Sequence, residues 1–295
     1  HIQHRGQQFV AHYGWSQGLE KGRVTRWSAG IGFDRHEFGP VDNTGLPWHV
    51  PADRRDVYPF LAVELLEDNY EKARNQDQIS RIEDRHIGAS LSMKLGYASE
   101  YLGSLDNALR VDLVASRGFH PATGGLIMLR SNFQWRRPGS GLSSYLLRAD
   151  TRYYRQHSEK KLFFAQLRAS VGSNVDTDQQ LYLGGDTGLR GYPVRFVNGK
   201  TTAILTLEQR WYSEWYPFGL FRIGAAAFMD VGRTWGGSAN TADVAGTLKD
   251  AGFGLRIGSP HSATGRMLHI DAAYALDGPP SVRGWQLYLE SRTSF

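Results

Sequence analysis

The sequence predicts an all-β chain, an antiparallel transmembrane β-barrel, on three observations. Hydrophobicity alternates with period two, ionic side chains collect on the face opposite the apolar one, and aromatic residues mark the strand ends. Earlier segments of this kind lie near 9–15, 27–35, 58–67, 87–97, 109–116, 126–135, 145–154 and 162–171. The later ones are clearer. Residues 203–212 place Ala203, Leu205, Leu207 and Trp211 on one side and Thr206, Glu208 and Arg210 on the other. Residues 221–231 set Phe221, Ile223, Ala225, Ala227, Met229 and Val231 against Arg222, Gly224, Ala226, Phe228 and Asp230. Segments 251–257, 268–276 and 285–295 repeat the pattern, for a total of about thirteen strands. Turn-forming runs such as RPGSG at 137–141 and DGPP at 277–280 separate some of them, and no segment holds a 3.6-residue period over three turns.

Alternation alone would also suit a water-soluble sandwich, so the character of the polar face decides. That face carries Arg110, Asp112, Arg148, Asp150, Arg152, Arg168, Glu208, Arg210, Asp230, Arg256, Asp271, Glu290 and Arg292. The apolar faces are rich in small or flat residues, and Trp15, Trp27, Trp135, Trp211, Trp215, Tyr216, Trp235 and Trp285 sit near strand ends, as in interfacial girdles. The links near 174–201, 236–250 and 277–284 are long, whereas 155–161, 213–220 and 258–266 are shorter, the habit of a membrane barrel. One stretch breaks the pattern: residues 67–85 are long and highly charged on the short-turn side. Either two strands extend beyond the membrane there, or the strand count slips by a pair.

Composition narrows the function classes. The 295 residues are 41% hydrophobic and 21% charged, too apolar and aromatic for a disordered chain. The absence of cysteine excludes disulfides, thiolate metal sites and thiol catalysis. The apolar run at 223–229 is far short of the roughly 20 residues of a membrane helix, but a spanning strand needs only about 9–11. The chain opens at His1 in a polar stretch without a leader pattern, so it reads as mature or as a fragment. The net charge of +5 comes mainly from arginine, yet the arginines recur singly between apolar residues and near carboxylates, which speaks against a nucleic-acid partner.

Motifs that suggest catalysis fail on chemistry. Asp186-Thr187-Gly188 has the spelling of an aspartic protease, but Asp230-Val231-Gly232 lacks the hydroxyl of a second copy. The run GGDTGLRG at 184–191 has neither dinucleotide nor P-loop spacing and precedes a strand. His269-x-Asp271 lacks a third metal ligand and reads as a lumen ion pair; no Gly-x-Ser-x-Gly elbow occurs. No catalytic residue, metal or cofactor is expected.

What remains is Leu189-Arg190-Gly191-Tyr192 at the end of a Gly-rich loop, Glu208 on the next strand, Phe228-x-Asp230-x-Gly232 on the one after, and a C-terminal aromatic strand with Trp285, Leu287, Leu289 and Phe295. Parity turns Asp230 inward, and a loop entering a wet lumen needs a charged anchor; an arginine offers a carboxylate two parallel bonds. Gly188 and Gly191 let the loop turn sharply and approach the wall. These residues resemble the bacterial outer-membrane insertase and translocase superfamily, which comprises the BamA/TamA surface-antigen barrels and the two-partner secretion transporters. There an Arg-Gly-Tyr/Phe motif sits on a long loop folded into the lumen, and its arginine bonds the aspartate of an F-x-D-x-G motif. The resemblance thus implies that Arg190 meets Asp230, with Glu208 as a further partner, and that 285–295 forms the C-terminal side of an imperfect seam. It is strong over 181–295 and pattern-level before that.

The family barrel has sixteen strands, eleven of them before the loop. About eight here imply that the first strands are lacking, as are the periplasmic polypeptide-transport-associated domains, so that 1–295 is one barrel domain. The implied function is non-enzymatic: insertion of barrel proteins into the outer membrane of a Gram-negative cell or passage of polypeptides across it. The implied partners are the lipid bilayer, unfolded outer-membrane or secreted clients, and periplasmic chaperones or accessory subunits. The alternatives are a passive channel and the barrel anchor of a patatin-like lipase. Reversing Arg190 should abolish activity, and reversing Asp230 alongside it should restore some.

Overall fold

The computed structural model describes residues 2–40, 52–175, 179–237, 246–260, 266–280, 282 and 284–292. Its strands in chain order are β1 (Ile2–Glu20), β2 (Arg23–Pro40), β3 (Arg54–Glu67), β4 (Tyr70–Arg74), β5 (Ile82–His86), β6 (Ser90–Ala98), β7 (Ala108–Phe119), β8 (Leu126–Pro138) and β9 (Ser144–Ser158). They continue as β10 (Lys161–Ser173), β11 (Leu181–Leu183), β12 (Val197–Gly199), β13 (Thr201–Tyr212), β14 (Arg222–Trp235), β15 (Thr247–Gly258), β16 (Met267–Ala275) and β17 (Trp285–Arg292).

Among the described residues, thirteen of these strands form one antiparallel sheet, in the order β1-β2-β3-β6-β7-β8-β9-β10-β13-β14-β15-β16-β17. Each pairs with the next strand along the chain, apart from two inserted hairpins, so the sheet is a meander whose register follows from hairpin geometry. At the β1–β2 turn Lys21 and Gly22 both take positive φ, the conformation that a two-residue turn favours between twisted strands.

The burial pattern is inside out for a protein in water. Glu208, Arg210, Asp230, Arg256 and Asp271 are buried on the inner face, while Leu255 of β15 and Leu287 and Leu289 of β17 stand exposed on the outer one. Trp15 pairs with Trp27 near the short-turn end, and Trp235 and Trp285 stand exposed at the long-loop end. Aromatics at both rims of an apolar outer face are what a bilayer selects. Among the described residues no helix is long and apolar enough to cross a membrane.

Residues 67–85 hold two extra strands, but β4 and β5 pair with each other and not with the large sheet. The thirteen-strand count therefore does not slip. The hairpin between β3 and β6 turns inward, and its tip is buried.

Candidate functional site

The link between β10 and β13 carries the Arg-Gly-Tyr motif. It begins and ends as a short ladder, with Leu181 opposite Gly199 and Leu183 opposite Val197. Between them, Gly188 takes φ +113°, which a side chain would resist. Leu189 then drops into an apolar cluster with Leu183, Tyr192, Val197, Ile204, Leu248, Ala275 and Val282. The wall makes room for it at Gly232, where an added Cβ would lie 3.1 Å from Leu189 Cδ1. At Gly191 the fit is closer still: a Cβ would lie 2.6 Å from Asp250 Cβ and 2.9 Å from the Ala275 amide nitrogen. Both glycines thus sit where loop and wall leave no space for a side chain.

Fixed on either side, Arg190 projects into a set of buried ions. Its Nε donates to Asp230 Oδ2 at 2.8 Å and its Nη2 to Asp230 Oδ1 at 3.2 Å. Its Nη1 donates to Asp271 Oδ2 at 2.8 Å and lies 3.6 Å from Glu208 Oε2. The guanidinium also lies over the Phe228 ring, 3.2 Å from its centroid. Burial alone would lower the Arg190 pKa, but the attraction of Asp230, Glu208 and Asp271 outweighs it and raises it. The loop cation therefore stays charged wherever the barrel is folded.

The wall residues are held in turn. Thr206 Oγ1 donates to Asp230 Oδ1 at 2.7 Å. Arg256 donates to Glu208 Oε1 from Nη2 at 2.9 Å and from Nε at 3.1 Å, and its Nη1 donates to Asp271. Arg210 Nε donates to Glu208 Oε1 at 2.9 Å. Register sets two rows of inward residues across β13 to β16, Thr206, Asp230, Asp250 and Ala275 in one and Arg210, Ala226, Gly254 and Asp271 in the other, and the Arg190 guanidinium spans them to reach Asp230 and Asp271. Such buried pairs are costly to assemble and costlier to break, so they specify one position for the loop rather than adding general stability.

Tyr192 fixes the next residue. Its hydroxyl lies 2.7 Å from Asp277 Oδ1 and 3.0 Å from the Lys249 carbonyl, both acceptors for its proton. Burial, then Asp277, pushes its pKa up. Tyr192→Phe is expected to cost about 1 kcal/mol, read as faster amide exchange over 189–193 with the barrel strands unchanged. Gly191→Val is expected to expel the loop, read as new proteolytic cleavage within 181–199.

Arg190, Gly191, Tyr192, Glu208, Asp230 and Gly232 therefore lie together. Trp285, Leu287 and Leu289 lie elsewhere, on the outer face of β17, where Trp285 packs edge-on to Phe253 and Tyr274; Phe295 falls outside the described residues. The sequence reading passed over Asp271 as an Arg190 partner and Arg256 as the bridge between Glu208 and Asp271. Parity placed both inward, but which inward residues meet depends on strand stagger. Asp186 is exposed and accepts from the Arg195 amide at 3.2 Å, while Asp230 is fully buried under Arg190, so the two do not form a carboxylate pair. Among the described residues no three His, Asp or Glu side chains are grouped to hold a metal ion.

A second feature lies beside the loop. A cavity of about 460 Å³ opens against β8 to β10, lined by Arg130, Arg148, Asp150, Arg168, Arg195 and Thr202. The arrangement holds a loop beside a cavity that several arginines line.

In overall structure the chain is similar to CdiB from Escherichia coli, with a TM-score of 0.50 and 17% identity over 97% of this chain and 52% of that one. It is likewise similar to CdiB from Acinetobacter baumannii, with a TM-score of 0.50 and 15% identity over 92% and 50%. The chain thus spans about half the length of these structures, and at such identity the likeness is one of fold. No curated protein matches the sequence significantly. The model of the Omp85 superfamily domain matches residues 63–267. That match takes in β6 to β15, both inserted hairpins, the Arg190 loop and its partners Glu208 and Asp230, and the chain belongs to the Omp85 superfamily.

Proposed function

We propose that this chain is the outer-membrane barrel of a polypeptide transporter, and that the Arg190 contacts hold its long loop inside the lumen. The observation that carries the reading is a charged loop residue bound by three wall carboxylates on three different strands. A passive channel gains nothing from such a loop, which occupies its lumen, whereas a translocation barrel needs a closed resting state. The polar inner faces and the arginine-lined cavity suit an unfolded chain in extended form. No covalent chemistry is required, and the bilayer is the surrounding partner.

Insertion of other barrels is a second reading, favoured by the sheet ends. Among the described residues β17 pairs only with β16, and its Leu287 and Leu289 are 84% and 68% exposed; such an edge suits strand addition. That the chain spans about half of the CdiB structures accords with a barrel that forms part of a longer protein. A deletion of the complete gene separates the readings. Loss of one exported polypeptide with normal outer-membrane barrels supports transport; a general fall in folded barrel proteins supports insertion; neither change overturns both.

A further inference from the structure

The β4–β5 hairpin crosses the short-turn mouth and its tip is built into the far wall. Ile79 is buried among Tyr154, Leu162, Phe164, Tyr212 and Met267, which come from β9, β10, β13 and β16. Around this apolar contact several of the tip's polar groups are bonded to the wall. Arg210 Nη1 donates to the Gln76 carbonyl at 2.7 Å, Tyr154 Oη to Asp77 Oδ1 at 3.0 Å, and Asn75 Nδ2 to the Glu159 carbonyl at 2.9 Å.

The tip is also held in shape from within. Glu83 Oε1 accepts the amides of Gln76, Asp77 and Gln78 at 3.0–3.1 Å. Arg85 Nη2 bridges Asp77 and Glu83 at 2.7 and 2.9 Å. Burial would raise the Asp77 pKa, but Arg85 and Arg210 hold it below the usual value, so the tip keeps its charge. Arg210 also bonds Glu208, itself 3.6 Å from Arg190. The hairpin at one end of the lumen and the Arg190 loop thus share one chain of ion pairs.

We infer that the mouth of the barrel contains a binding seat for extended polypeptide, and that the hairpin tip fills this seat at rest as an internal plug. The seat takes a bulky aliphatic side chain flanked by a carboxylate, with Arg210 receiving a backbone carbonyl. An entering client segment of that chemistry replaces the tip. This rests on reading the barrel as a polypeptide path.

The chain offers a direct test. It contains no cysteine, and a Cβ built at Gly258 of β15 lies 3.8 Å from the Ile79 Cβ, within the separation of about 3.5–4.5 Å that a disulfide spans. The full-length Ile79→Cys/Gly258→Cys variant is expected to cross-link in the folded barrel. Oxidation should then cut client transport of the double variant at least tenfold, with recovery on reduction, whereas each single variant should transport equally before and after oxidation. Full transport by the cross-linked barrel, or no cross-link in folded protein, overturns the inference. Should the double variant not fold, shortening 76–80 to two glycines is expected to raise single-barrel ion conductance several-fold in a planar bilayer, and an unchanged conductance overturns it. The conductance also separates the two claims: a wild-type protein that transports no client but gains conductance when the tip is shortened refutes the transport reading and leaves the plug.

Discussion

Arg190→Asp is expected to release the long loop from the lumen and abolish transport. The change puts a fourth carboxylate among Asp230, Asp271 and Glu208, each within 3.6 Å of the guanidinium it replaces. Removing one partner of a buried ion network typically costs about 3–5 kcal/mol, because the remaining charges stay desolvated, and reversal costs more than removal. Adding Asp230→Arg is expected to restore only a small part of activity. A two-partner latch would be rescued well, but here the new aspartate still faces Asp271 and Glu208. Arg190→Lys should fall between, since an ammonium cannot bind Asp230 through two parallel bonds and reach Asp271 as well. Transport and protease accessibility of 181–199 check the series; full rescue by the swap would show that Asp271 and Glu208 do not engage the loop.

Glu208→Gln is expected to be the most destabilising single substitution in the barrel wall. Its carboxylate is fully buried and accepts from Arg210 and Arg256 while facing Arg190, so three guanidiniums lose their shared counter-charge. A loss of about 3–5 kcal/mol is expected, read as a lower urea midpoint for the barrel in lipid vesicles. The comparison is Glu64→Gln, which breaks the half-exposed pair Arg26–Glu64 and should cost no more than about 1 kcal/mol. Equal effects would mean that the buried lumen pairs are as solvated as this half-exposed one.

Much of this architecture was legible because period two survives in every strand of β13 to β17. Once Leu205 and Trp211 are outward, Glu208 and Arg210 must be inward, and the same parity sets Asp230, Arg256 and Asp271. The Arg190–Asp230 pairing came from motif resemblance supported by that parity. Asp271 as the second partner was not legible, since β14 and β16 are separated by β15 and only sheet curvature brings their inward residues together around one guanidinium. The hairpin tip was less legible still. NQDQIS at 75–80 reads as a solvated turn, and its one apolar residue, Ile79, gains meaning only from side chains of four distant strands.

Polypeptide is expected to pass through the ion-lined lumen of this barrel. Neighbouring residues of β9 test it directly, because Arg148 lines the inner cavity and Leu147 stands 40% exposed on the outer face. A photo-crosslinking amino acid is placed at each position in turn in the full-length protein, with a client halted during export. Client adducts are expected from position 148 and lipid adducts from 147; client adducts from 147 alone, or from neither position while export proceeds, would contradict passage through the lumen.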